Sequence, residues 1–331
     1  MQGAYLKIIF LIIIFSNGTF AKDFDDLFNT TIMIMDESID ESIDKSFESL
    51  VFRLLGTNDD EKMKLIKDQY DSKDFLKTYT LLMKDNIKFL KASFDEETVI
   101  KQFVDNEISF IGRNRPVVFL DIEVDNGFDK PFKVETIPYE NSFESSIQEI
   151  FNEISQERGL FFEFPQNNIT LINSDYFFEE KTNNDFNQYK FDYFASINIL
   201  RLGINSWSMK YGNEVLFFEN EDQMFKEIKE IFNEQSFIYL SNFVLDRLEE
   251  EIIIKFSKVT SVEMIDKLLE ILDQMISIKR YSITSFKNDE ISFILEIFGT
   301  QDQFIESVKS HKDLTLDKSS KDLIEASLIK I

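Results

Sequence analysis

Gly112-Arg113-Asn114-Arg115-Pro116-Val117-Val118-Phe119-Leu120-Asp121-Ile122-Glu123-Val124 is the stretch on which the reading of this chain turns. Pro116 lacks an N–H, which a strand tolerates at its first position. The apolar run behind it suits a strand buried on both faces. Asp121, Glu123 and Asp125 then alternate with apolar residues, which puts three acids on one face near the strand's C-terminal end. Different patterns lie on either side, so a domain junction falls at residues 112 and 113.

Upstream, Thr30-Thr31-Ile32-Met33-Ile34-Met35 reads as a strand, and Asp36 or Ser38 caps the helix behind it. Ile39, Ile43, Phe47, Leu50, Val51 and Leu54 recur at three- and four-residue spacing, one apolar helix face that Gly56 ends. Glu37, Asp40, Glu41 and Asp44 form its solvated side, near the positive end of the dipole. A short helix is expected near Glu61 to Lys67. Phe75 to Leu82 and Ile87 to Phe94 flank Met83-Lys84-Asp85-Asn86, a hairpin with a four-residue turn. Asp95 caps a helix carrying Val99, Ile100 and Phe103.

Downstream, Phe143, Ile147, Ile150, Phe151 and Ile154 make the cleanest helical stripe in the chain, ended by Arg158-Gly159. Leu160-Phe161-Phe162-Glu163-Phe164 supplies a strand before Pro165. Strand, helix and strand without a hairpin turn indicate a parallel crossover. Tyr193 to Leu202, Trp207 to Tyr211 and Val215 to Glu219 read as an antiparallel meander, and a helix from Phe225 toward Leu240 closes this part near Arg247. The last part has a strand at Glu251 to Phe256, a helix at Ser261 to Met275, strands at Ser277 to Phe286 and Glu290 to Phe298, and a helix about Phe304 to Val308. That order suggests a ferredoxin-like half-sandwich, with Leu323 to Ile331 as an edge strand. The expected fold class is mixed α/β and α+β in three small modules, residues 22–112, 113–247 and 248–331.

Residues 1–21 read as a cleavable secretory signal: Lys7, unbroken apolar sequence from Ile8 to Phe15, then small residues before a cut after Ala21. The apolar run is far short of the roughly 20 residues of a membrane-spanning helix. The remaining chain is expected outside the cytoplasm with no membrane span. The sequence contains no cysteine, which removes disulfides, thiolate nucleophiles and Cys-ligated zinc, and favours a bacterial periplasm over a eukaryotic secretory route. A net charge of −25 repels nucleic acid and anionic lipid. The 36 phenylalanines, with abundant Ile, Asn and Lys, follow AT-rich coding more than an aromatic function.

In this order and spacing, several motifs resemble the uncharacterised family of exported proteobacterial proteins known as domain of unknown function 2066. They are Ile34-Met35-Asp36-Glu37-Ser38 leading to Phe52-Arg53-Leu54-Leu55-Gly56, then Gly112-Arg113-Asn114-Arg115-Pro116, Glu157-Arg158-Gly159-Leu160, and Trp207 after Gly203. The chain departs from that pattern at Ile111, where the family often carries Trp, and near Tyr211, where it often carries a second. The resemblance implies an envelope address and no activity, substrate or cofactor.

With one histidine, His311, in a polar segment expected to be exposed, histidine-based triads and metal clusters have no material. No glycine-rich phosphate loop is present, and no cofactor or metal is expected. Asp121, Glu123 and Asp125 are the candidate catalytic carboxylates. Arg115 is a candidate for binding an anionic ligand, against a structural role paired with Asp121 or Glu157. Trp207 is a candidate stacking residue, against a place in the core. The leading expectation is a non-catalytic periplasmic protein that contacts an envelope protein. A carboxylate hydrolase of envelope glycan or peptide, and a binding module for a small anion, are the alternatives.

Overall fold

The computed structural model describes residues 21–56, 64, 66, 70–84, 86–128, 130–136, 142–166, 189–245, 249–320 and 323–329. The expected signal segment, except Ala21, and most of the expected helix at 61–67 lie outside them. The fold is mixed α and β, with several sheets.

β1 (Lys22–Asp23) and β2 (Asn29–Ile34) lead into α1 (Ile39–Leu55). Ser38 caps that helix reciprocally with Glu41: its hydroxyl accepts from the Glu41 N–H, and its own N–H donates to the Glu41 carboxylate. Gly56 ends the helix at φ 58°, where a Cβ would lie 2.1 Å from Ile111 Cδ1. A 3₁₀ turn at Ser72–Asp74 precedes β3 (Leu76–Lys84), β4 (Ile87–Phe94), α2 (Glu96–Asp105) and β5 (Phe110–Ile111). β3 and β4 run to Lys84 and from Ile87, so the hairpin turn is two residues long and not four. Asn86 takes φ 63°, which so tight a turn demands. The sheet order is β2-β4-β3, with α1 against one face.

The central part comprises β6 (Asn114–Arg115), β7 (Val117–Asp125), β8 (Phe132–Lys133), α3 (Ser142–Arg158), β9 (Phe161–Glu163), β10 (Tyr193–Arg201), β11 (Trp207–Tyr211), β12 (Glu214–Phe218), α4 (Glu221–Ser241) and β13 (Val244–Leu245). β9 lies parallel to the start of β7, as the crossover pattern implies. β10 also pairs parallel to β7 on the other side and carries the meander, giving the path β12-β11-β10-β7-β8. Val118, Leu120, Ile122 and Val124 point to α3 and α4, where Ile147, Phe151, Ile154, Ile228 and Phe232 complete the core. Two short pairings cross the expected module limits: β1 with β6, and β5 with β13.

The last part contains β14 (Glu249–Ser257), α5 (Val262–Gln274), β15 (Ile278–Lys287), β16 (Glu290–Phe298), α6 (Gln301–Ser310), β17 (Leu314–Ser319) and β18 (Ile324–Leu328). Its sheet order is β15-β16-β14-β18-β17, a ferredoxin-like layout with one change. The strand after α6 lies outermost, and the returning β18 fills the place beside β14, running parallel to it. The expected terminal edge strand is therefore an interior strand. Ile324 and Ala326 are buried from it, which an edge position would have left half open.

Candidate functional site

The acids of β7 lie on the face of the central sheet opposite α3 and α4. Strand alternation aims Val118, Leu120, Ile122 and Val124 at the helices, and so turns Phe119, Asp121, Glu123 and Asp125 the other way. In register beside them, β10 presents Phe194, Ser196, Asn198 and Leu200. Asp121 is half-buried and accepts from Lys133 Nζ at 2.7 Å. Asp125 accepts from the Gly127 N–H at 2.9 Å, an Asx turn that closes the strand end. The row is thus held by β8 at Asp121 and by a local turn at Asp125. Among the described residues, no group of three or more His, Asp or Glu is placed to hold a metal ion.

Arg115 has neither expected partner. It is fully buried and donates to four backbone carbonyls: Gly112 at 2.7 Å, Ile111 at 3.0 Å, Arg53 at 3.1 Å and Arg158 at 3.4 Å. Two of these belong to the last turns of α1 and α3, where unpaired carbonyls and the negative end of the helix dipole suit a cation. The expected pairing with Asp121 or Glu157 is replaced by these carbonyls because Glu157 faces Lys229 and Asp121 faces Lys133.

Two further arginines complete this cluster. Arg53 donates to the carbonyls of Asp26, Leu27 and Asn29, and to that of Gln156 at 2.6 Å. Arg158 lies against the rings of Phe52 and Phe237, at 3.9 and 4.1 Å, and donates to Asn233. Burial pushes Arg53 and Arg158 down to about 10, and burial with the neighbouring Arg53 charge holds Arg115 well below its usual value. The cluster ties the carbonyl ends of two helices and the loop before β2 to one point. Backbone carbonyls satisfy Arg115, while Arg53 Nε and Arg158 Nη1 are buried with no acceptor among the described residues. The sequence signal for Arg53 was available: a basic residue inside the apolar stripe of a helix, one residue before Leu54.

Trp207 is 2% exposed and stacks on Phe143 at 4.9 Å, which places its ring in the core beneath α3 and leaves no face for a sugar. His311 corrects the expectation of an exposed residue: it is 8% exposed, ends α6, and its Nδ1 accepts from the Asp313 N–H at 3.2 Å. Burial lowers its pKa, opposed by the nearby carboxylates of Asp23 and Asp313.

The N-terminal sheet offers a different kind of surface, which the sequence reading did not single out. Leu90, Ala92 and Phe94 of β4 face the helix side, so Phe89 and Lys91 face away. Register places Met33, Phe89 and Leu82 in one cross-strand row on that outer face, and Thr31, Lys91 and Thr80 in the next. Met33 and Leu82 are exposed, as are Met35 and Ile87 beyond them. The signal was the uncharged run Thr78-Tyr79-Thr80-Leu81-Leu82-Met83 between two lysines, in which neither alternate set is polar.

Fold and surface together define a multi-module α+β protein whose N-terminal sheet carries an exposed apolar row on its outer face. No protein-family model matches the chain, and no curated protein or solved structure matches it either. No described helix is long and apolar enough to cross a membrane.

Proposed function

We propose that this chain is an exported envelope protein that works by contacting other proteins and not by turning over a substrate. The observation that carries this is the Met33–Phe89–Leu82 row: an apolar cross-strand surface that lies outside the three packed cores, with Met35 and Ile87 exposed beyond it. Exposed contiguous apolar surface of this kind marks interaction sites. The periplasmic address rests on the N-terminal signal pattern, and the resemblance to domain of unknown function 2066 agrees with it. The fixed acids of β7 and the carbonyl-bound Arg115 read as scaffold.

The test is in-cell crosslinking from a photoreactive residue at Met33, compared with one at Glu123 on the outer face of the central sheet. A discrete adduct from Met33 supports the reading. The same protein isolated as a solitary monomer, with turnover on envelope glycan or peptide, overturns it.

A further inference from the structure

We propose that the free edge of β3 is a strand-addition site for an extended segment of a partner protein, one with an apolar or β-branched centre and carboxylates at both ends. This deepens the contact reading above and rests on it. Among the described residues, β3 pairs only with β4, so its outer N–H and C=O groups have no strand beside them. Proteins ordinarily blunt such an edge with charge, proline, a bulge or a covering element. Here the bulge comes only at the start, between Leu76 and Thr78, and the lysines stand only at positions 77 and 84.

Between them, Thr78 to Met83 contains no charge, no proline and no glycine, and every one of its residues is exposed. Met83 is 64% exposed and Leu81 49%, on the side of the sheet that α1 covers further in. Leu82 is on the outer face beside Phe89 and Met33. A strand laid along this edge gains main-chain bonds and apolar neighbours for both of its side-chain sets.

Charge selects the partner. β2, β3 and β4 together carry Lys77, Lys84, Lys88 and Lys91 and no acid, in a chain of net charge −25. Lys77 shares its field with Asp95, the cap of α2, while Lys84 stands at the hairpin tip. Carboxylates flanking an added strand meet these lysines at either end. A second copy adding its own β3 brings lysines and supplies no such complement, and the acidity of the whole chain opposes an anionic lipid surface.

The test uses the full chain and two fluorescent ten-residue peptides with the same Thr-Val-Thr-Val-Thr-Val centre, one flanked by paired Glu, the other by paired Lys. Fluorescence anisotropy is expected to show binding of the Glu-flanked peptide about ten-fold tighter or more, weakening with salt. Lys77→Glu with Lys84→Glu, at exposed positions whose fold is checked by circular dichroism, is expected to reverse the preference. Equal binding of both peptides, binding of neither, self-association through β3, or preference for anionic vesicles overturns the proposal. A Met33 crosslink that persists when the peptides fail to bind leaves the contact reading standing without this edge. Failure of both removes the two together.

Discussion

Arg115 donates to the backbone carbonyl of Arg53 at 3.1 Å, so one buried cation of the cluster holds the chain of another. Two like charges this close are tolerable in the interior because each guanidinium is met by carbonyl oxygens, several at helix C-termini. The arrangement joins α1, which belongs to the N-terminal core, to α3 of the central core, through the segment that opens β7.

Arg115→Lys is therefore a severe change despite keeping the charge. An ammonium has three donors on a flexible stem and cannot reproduce the planar fork that reaches carbonyls of four residues. Each buried acceptor left open costs about 1–3 kcal/mol, offset in part by easier desolvation, so a loss of about 3 kcal/mol is expected. Urea unfolding measures it, and a midpoint equal to the parent's shows the cluster to be incidental. Arg115→Met separates packing from charge by keeping the stem.

Gly159 is the backbone counterpart of this cluster. It ends α3 at φ 67°, and a Cβ would sit 2.8 Å from Arg53 Cγ. Gly212 has φ 59° with nothing within 4 Å of its Cβ. Gly212→Ala should carry the left-handed penalty alone, about 1 kcal/mol, and Gly159→Ala that penalty plus displacement of Arg53, about 2–3 kcal/mol. Equal losses in thermal unfolding, compared at the same temperature, mean that Arg53 moves freely.

Phe151 tests the packing read from the helical stripe. It is fully buried and meets Phe232 at 4.8 Å, Phe162 at 4.9 Å and Phe164 at 5.9 Å, all edge-on. Phe151→Ala is expected to lower stability by about 3–5 kcal/mol. A loss below about 1 kcal/mol in urea titration contradicts a close-packed core at this point.

What was legible in the sequence followed from local chemistry. Ser38 and Gly56 announce the ends of α1, the Phe143–Ile154 spacing announces α3, and the alternation after Leu120 fixes which side of β7 faces the helices. Beyond the parallel β7–β9 crossover, register and long-range pairing were not legible. Nothing local distinguishes β18 as an interior strand, because its place is set by β14, about seventy residues away in sequence. Nor does an isolated arginine reveal that its acceptors are carbonyls from residues 53, 111, 112 and 158. The burial of His311 is likewise set at a distance: α6 packs against β1, which brings Asp23 to it, and nothing in the local sequence announces that contact.

His311 gives the chain a pH dependence whose sign is fixed by burial. The unfolded residue titrates near 6.5 and the folded one below it, so between those values the unfolded state binds more protons. Its stabilising contribution is complete above 6.5 and is lost as pH falls through the folded value. Asp23, raised by burial from 3.8, acts with the opposite sign: its contribution is present below 3.8 and fades as pH rises through its folded value. Between about pH 7.5 and 5.5, the fall in unfolding midpoint should therefore be smaller in His311→Gln than in the parent. An unchanged slope assigns the dependence elsewhere.

Asp121 separates the contact reading from carboxylate catalysis. Its carboxylate is engaged by Lys133 at 2.7 Å, with the lysine about half exposed, so Asp121→Asn removes a partly solvated ion pair worth no more than about 1 kcal/mol. If the outer face of the central sheet is scaffold, the variant keeps the Met33 crosslink and melts within a few degrees of the parent. A hydrolase built on this row behaves differently. Asp121→Asn then abolishes release of product from envelope glycan or peptide while the melting temperature stays put, because the acid is reserved for the reaction and not for the fold. Running both assays on one preparation assigns the acid to one role, and loss of turnover without loss of the crosslink would transfer this face from scaffold to chemistry.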